Sequence, residues 1–271
     1  MIKQAIIPLA GLGTRLLPLT SVFAKELLPI NGRPGIEYIL DECIEAGIKE
    51  IIFIISTRKL MIKKYFYSDK FYKNIIKNKK DSRIINEYKK LLKYKKKIKF
   101  VFQNIPKGTG DAVLKTERFI KNKYFLMLLP DDLIIKKNCS KEMIKVHQKY
   151  KASVMASMKV KKNNVSRWGI YKIKKKLDAR NFTIEGVIEK PSKKIAPSNN
   201  AVIGRYVLPR SIFNKIKSLK PKRGKEIHIT DAIQQLINDN VKFIAHNFEG
   251  KYLDCGTMNG YINSSIEIGK L

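Results

Sequence analysis

Met1-Ile2-Lys3-Gln4-Ala5-Ile6-Ile7-Pro8-Leu9-Ala10-Gly11-Leu12-Gly13-Thr14-Arg15 opens the chain, and this stretch decides the fold. Residues 2–9 form a short, nearly continuous apolar run, the pattern of a buried strand. The run is too short for a secretory signal and lacks a small-residue cleavage site. A glycine-containing loop follows directly. Beyond it Pro34 stands where a first helical turn begins. Ile36, Ile39, Leu40, Cys43 and Ile44 then recur at helical spacing until Gly47 stops the helix. Strand, glycine loop and helix in that order predict an α/β fold.

The pattern continues outward. Residues 50–56 and 98–103 read as the next strands, with a Lys-dense insertion at 59–97 that is predicted to be helical and peripheral. Residues 111–119 read as a helix, and 124–129 as a strand running into Pro130-Asp131-Asp132. Strands alternating with helices predict a mixed, mostly parallel central sheet with crossover helices. The second half is more irregular, with short strands near 152–159, 169–173, 183–189 and 201–208. Helices follow at 211–218 and 231–238, then a strand at 241–246 and a last helix from Met258. No repeat or Gly/Ser linker divides the chain, so a single domain over residues 1–271 is expected.

The 271 residues include 56 Lys+Arg against 23 Asp+Glu, a net charge of +33. That balance suggests a polyanion binder. However, 46 of the basic residues are Lys and only 10 are Arg, the residue favoured for base and phosphate recognition. Lys, Ile and Asn, all with A/T-rich codons, together make up 103 residues. The excess is also localised: residues 1–58 have net charge zero, 226–271 carry −3, and 59–225 hold +36. Cys43, Cys139 and Cys255 lie 96 and 116 residues apart with no pairing pattern, which predicts reduced thiols. No apolar stretch approaches a membrane span. A soluble, cytoplasmic protein is expected, with no membrane and no specific nucleic-acid partner.

The loop at 10–15 fails two familiar phosphate-binding patterns. A dinucleotide fingerprint needs a third glycine where Leu16 stands, and a P-loop needs Gly-Lys-Ser/Thr. A glycine pair after a strand is by itself equally an ordinary tight turn. Ten residues beyond Arg15 lies Lys25-Glu26-Leu27-Leu28-Pro29. Backbone amides, a guanidinium and an ammonium together suit a polyphosphate. Lys25 is one lysine among many, but it lies in the charge-neutral segment, where lysines are scarce.

These two motifs resemble the signature of the sugar-1-phosphate nucleotidyltransferases. The likeness runs almost end to end, through residues 103–112, Leu129-Pro130-Asp131, Val187-Ile188-Glu189-Lys190-Pro191, Ala196-Pro197-Ser198-Asn199, Gly204-Arg205-Tyr206, Thr230-Asp231-Ala232 and Asp254-Cys255-Gly256. The later blocks resemble the uridylyltransferase branch. The resemblance implies a Rossmann-like three-layer α/β/α nucleotidyltransferase fold. Residues 1–135 would form a nucleotide-binding half, and 136–271 a sugar-phosphate-binding half ending in the C-terminal helix. It also implies a homo-oligomer, dimer or tetramer, that makes UDP-glucose and pyrophosphate from UTP and glucose 1-phosphate with Mg²⁺.

A phosphomonoester is already largely dianionic at neutral pH, its second pKa being about 6, so such a reaction needs no strong general base. It needs charge neutralisation and in-line positioning. The scattered His147, His228 and His246 fit no metal or triad spacing. By resemblance, Arg15 and Lys25 are catalytic, acting on the triphosphate. Ala10, Gly11, Gly13, Glu26, Gln103 and Gly108 bind the nucleotide, Gln103 and Gly108 at the uracil. Gly169, Glu189 and Lys190 bind the sugar phosphate. Asp131 matches the Mg²⁺ ligand, and Asp254 the aspartate that completes the metal site in related enzymes.

Read from residues alone, Asp131 is equally a turn aspartate, Asp231 a first-turn helix carboxylate, Gly204-Arg205-Tyr206 strand architecture, and Trp168 a core residue. Asp132 reads as a neighbour rather than a ligand. Ala24 stands where proline is usual, and Thr109 and Asp111 where leucine and histidine are usual, which bears on nucleotide preference. The competing readings are a glucose-1-phosphate thymidylyltransferase and a non-enzymatic polyanion binder.

Overall fold

The architecture comes from a computed structural model that describes residues 1–219 and 226–271. Strand β1 (Gln4–Pro8) leads through the glycine loop to a small hairpin, β2 (Pro29–Ile30) and β3 (Arg33–Pro34), then α1 (Gly35–Glu45) and β4 (Glu50–Ile55). Helices α2 (Leu60–Phe66), α3 (Asp69–Asn78) and α4 (Ser82–Lys95) precede β5 (Ile98–Phe102). Next come α5 (Thr109–Leu114), β6 (Tyr124–Leu128), β7 (Asp132–Ile135), α6 (Cys139–Tyr150) and β8 (Ser153–Lys159). The chain continues with β9 (Gly169–Lys176), β10 (Asn181–Glu189), β11 (Asn200–Pro209), α7 (Ile212–Ser218) and α8 (Ile229–Asn238). It ends with β12 (Phe243–Asn247), β13 (Lys251–Asp254) and α9 (Met258–Gly269).

Nine strands form one sheet in the order β5-β4-β1-β6-β11-β8-β12-β10-β9. Seven point the same way, and only β10 and β11 are inverted. The sheet is therefore mixed, with four parallel and four antiparallel pairs among its eight neighbouring pairs, and is less parallel than the alternation of strands and helices suggested. The inversions lie in the second half, where the sequence pattern was irregular.

Alternation along the strands sorts side chains into two cores. Ala5, Ile7, Ile51, Phe53 and Ile55 face a layer containing Leu40 and Cys43 of α1 and Met143 of α6. Ile6, Ile52 and Ile54 face the opposite layer, with Val113 of α5, Phe213 of α7 and Ile233 of α8. Both faces are covered, so strands such as 50–55 are apolar at nearly every position.

Three features depart from the sequence expectation. The insertion is helical but not wholly peripheral, because Ile62, Phe66, Leu91 and Tyr94 are buried in the first core. Helix α6 and the antiparallel pair β7–β13 had no sequence assignment. Lysines interrupt the apolar spacing of α6, although Asn138 caps it by accepting from Lys141 N at 2.8 Å. No helix among the described residues is long and apolar enough to cross a membrane.

One buried ion pair ties the layers together. Arg205 on β11 has no exposed surface. Its Nε donates to both Glu42 oxygens at 3.1 Å, and Nη2 to Glu42 Oε2 at 2.9 Å. Nη1 donates to Leu129 O and Gly204 O, each at 3.0 Å, and Nη2 also to Asp132 O at 2.5 Å. Every guanidinium N–H is engaged, and Ser140 Oγ donates to Glu42 Oε1 at 2.6 Å. Arg205 is thus strand architecture. Arg205→Leu would leave Glu42 an uncompensated buried charge, so the unfolding free energy should fall by about 3–5 kcal/mol. Urea denaturation measures this, and a loss below about 1 kcal/mol would contradict the role given to the pair.

Candidate active site

The carboxyl ends of the parallel strands β1, β5 and β6 open onto one edge of the sheet, where ligands of open α/β sheets bind. The loop after β1 turns at Gly13, whose φ of +72° favours glycine. Thr20 Oγ1 secures the turn by donating to Gly13 O at 2.8 Å. A cavity of about 540 Å³ lies against this loop and is lined by Ala10, Gly11, Gly13, Lys25, Glu26, Gln103 and Gly108, among others. A second cavity, also about 540 Å³, is lined by Arg15, Trp168, Gly169, Glu189, Lys190 and Asp254. Asp131 lines both.

Asp131 gathers the cations. Lys25 Nζ lies 2.8 Å and Arg15 Nη2 3.4 Å from its Oδ2. Burial works against the charge on Lys25, but Asp131, followed by Glu26, holds its pKa above the usual lysine value. Burial likewise opposes the Asp131 charge, yet Lys25 and Arg15 keep its carboxyl below the usual range. Asp132 is different. It accepts from Gly204 N at 2.8 Å and Tyr252 OH at 2.7 Å. Burial, then the Asp131 charge, pushes its pKa up to about 6. These bonds tie the start of β7 to β11 and β13.

Asp254, at the end of β13, comes to the same point. Its Oδ1 accepts from Gly256 N at 2.8 Å. A methyl group placed on Gly256 would lie 2.8 Å from Asp131 Oδ2, 2.9 Å from Arg15 Nη2 and 3.2 Å from Asp254 Oδ1. Two carboxylates thus border a space that glycine leaves open. The described residues contain no cluster of three or more His, Cys, Asp or Glu side chains suited to a metal. A pair of hard oxygen donors suits a cation that completes its shell from phosphates and water.

In the second cavity, Glu189 Oε2 would lie 3.0 Å from a side chain at Gly169, so the carboxylate sits directly over that glycine. Lys190 adopts a φ of +44°, with its N–H donating to Trp168 O at 2.9 Å. Trp168 meets Tyr252 edge to face, with ring centroids 5.4 Å apart, and forms part of the cavity wall. In the first cavity Gln103 Nε2 donates to Gly108 O at 3.2 Å. Any side chain at Gly108 would collide with the Ile227 backbone.

Sequence reasoning missed Lys59. Its Nζ lies 2.8 and 2.9 Å from the two oxygens of Glu26, and both side chains are buried. Burial lowers the Lys59 pKa even with Glu26 beside it. Glu26 lines the first cavity, with both oxygens already held by Lys59. The available signal was weak, because Lys59 begins a segment crowded with lysines. No histidine lines either cavity.

A family model described as nucleotidyl transferase matches residues 4–270. The UTP–glucose-1-phosphate uridylyltransferase of Streptococcus pyogenes is 36% identical over 273 residues, covering 98% of this chain and 88% of the relative. A crystal structure of UDP-glucose pyrophosphorylase complexed with UDP-glucose superposes with a TM-score of 0.86 at 35% identity, over 100% of this chain and 99% of that one. The UTP-bound UGPase of Acinetobacter baumannii does so at 0.88 and 31% identity, over 99% and 94%.

Lys59→Met should leave the buried Glu26 carboxylate unpaired and lower the unfolding free energy by about 3 kcal/mol. Denaturant titration checks this, with Lys59→Arg expected to recover part of the loss. A neutral Lys59→Met would mean that Glu26 stands without its partner.

Proposed function

The chain belongs to the nucleotidyl transferase family, and we propose that it transfers the uridylyl group of UTP to glucose 1-phosphate, releasing pyrophosphate and forming UDP-glucose. The observation that carries this reading is the pair of cavities meeting at Asp131. Two separately bound anions that share one wall suit an in-line displacement between two phosphates.

The attacking group is a phosphate oxygen of the sugar phosphate, already ionised. The chain's task is therefore to hold two anions together against their repulsion. Lys25 and Arg15 act on the triphosphate, stabilising the charge that builds on the departing pyrophosphate. Before substrate arrives, Asp131 keeps both aimed at the junction. Ala10, Gly11 and Gly13 let the nucleotide approach the backbone, and Gln103 and Gly108 read the base. Lys190 takes the phosphate of the sugar, while Glu189, over Gly169, accepts from sugar hydroxyls. Asp131 with Asp254 would hold Mg²⁺, which when bound supplies Lewis-acid neutralisation of phosphate oxygens.

The experiment is pyrophosphate release over a matrix of nucleotides and sugar 1-phosphates. UTP with glucose 1-phosphate should be the best pair, and a clear preference for dTTP would overturn the assignment. Lys190→Ala should raise KM for glucose 1-phosphate by about tenfold or more while changing KM for UTP little. An effect confined to UTP would place Lys190 on the other substrate. Gly256→Ala should force the held Asp131 carboxylate and the Arg15 guanidinium aside, lowering the unfolding free energy by about 1–3 kcal/mol. By moving Asp131, Arg15 and Asp254, it should lower kcat by about tenfold to a hundredfold. Unimpaired turnover would show that these groups do not converge during the reaction.

A further inference from the structure

Gln103 follows β5, its backbone N–H donating to Ile55 O at 2.9 Å. Its side chain lines the first cavity. Besides Gly108 O, its amide nitrogen meets Asp111 Oδ2 at 2.7 Å. A carboxylate and a peptide carbonyl only accept, so the end of the amide between them must be the NH₂, and both of its N–H bonds are used there. The amide oxygen Oε1 makes no hydrogen bond to the described residues and is the end left for a ligand.

Asp111 is itself fixed. It is buried in the first turn of α5, and its other oxygen lies 3.6 Å from Lys115 Nζ, four residues on. Thr109 Oγ1, accepting from Ile229 N at 3.1 Å, anchors the start of the same helix to α8.

We propose that Asp111 determines base specificity: by occupying the amide N–H of Gln103 it makes Gln103 a pure acceptor, which admits a base with a ring N3–H and rejects cytosine. This inference rests on the reading of UTP as the nucleotide substrate. On its free edge uracil has a single N–H, at N3 between two carbonyls. A pure acceptor can engage uracil only there. In that register cytosine presents its N3 lone pair to the amide oxygen, acceptor against acceptor, and its nearest donor, the 4-amino group, lies one ring position away, so cytosine must shift along its edge to be held. Thymine keeps the N3–H, so this contact does not separate UTP from dTTP, and that preference falls to other groups.

The test compares pyrophosphate release from glucose 1-phosphate with UTP, CTP and N3-methyl-UTP, for wild type, Asp111→Asn and Asp111→Leu, with Asp111→Ala in place of a Leu variant that does not fold. Asparagine keeps an acceptor oxygen, so its UTP-over-CTP ratio of kcat/KM should stay within about threefold of wild type. Leucine leaves the Gln103 amide held by Gly108 O alone, so that it can turn over and offer an N–H to cytosine N3. The ratio should then fall by about tenfold or more, with KM for glucose 1-phosphate unchanged. Wild type should use N3-methyl-UTP at least about tenfold less well than UTP. An unchanged ratio in the folded Leu or Ala variant overturns the proposal, as does a wild-type enzyme that uses CTP or N3-methyl-UTP as readily as UTP. A wild-type enzyme that releases no pyrophosphate from UTP with glucose 1-phosphate would overturn the underlying function instead, which separates the two failures.

Discussion

Glu42 and Arg205 meet in the interior, 163 residues apart in the chain, and the geometry of the reacting centre depends on them. A buried ion pair is seldom a net source of stability, because removing two charges from water costs several kcal/mol per ion. Its effect here is positional. Arg205 holds the carbonyls of Leu129 and Asp132, on either side of Pro130-Asp131. Leu129 N donates to Gly204 O, and Cys255 N to Asp131 O, each at 2.8 Å. The turn that presents Asp131 is thus tied to α1, β11 and the end of β13 at once. Lys25, Arg15 and the two cavities are arranged around a carboxylate with little freedom to move.

Local patterns carried much of this architecture in the sequence. The first strand, its glycine loop, α1 and the alternating strands follow from periodicity and turn chemistry within a few residues, and Asp131 stood out by ending an apolar strand. What periodicity could not show was pairing across distance. Arg205 looked like one residue of a strand, and nothing near it points to Glu42. Lys59 was hidden among neighbouring lysines, and its partner Glu26 lies 33 residues earlier. The strand β7 is only four residues long, and its antiparallel partner β13 lies near the far end of the chain. Asp111 appeared in the sequence as a departure from the family pattern, and its bond to Gln103 gives that departure a meaning.

The large positive charge also sorts itself by depth. Lys25 and Lys59 have side chains only 15% and 9% exposed, each against a carboxylate at 2.8 Å. Many lysines of α2, α3 and α4 instead face solvent, where salt screens them and single contacts contribute little. Their collective effect is a diffuse field that attracts anions of any kind. Arg15, 65% exposed, and Lys190 stay open to solvent, so burial beside a carboxylate marks Lys25 and Lys59 and not every cation that lines the cavities.

The two cavities share Asp131 but recruit their other walls from different parts of the chain. Gln103, Asp111 and the start of α5 stand on one side, and Gly169, Glu189 and Lys190 on the other. On the proposed reading of the two cavities, changes that retune the choice of base need not touch the groups that choose the sugar. The division makes the scaffold modular: two recognition surfaces are free to diversify separately, provided the carboxylate at their junction stays where it is.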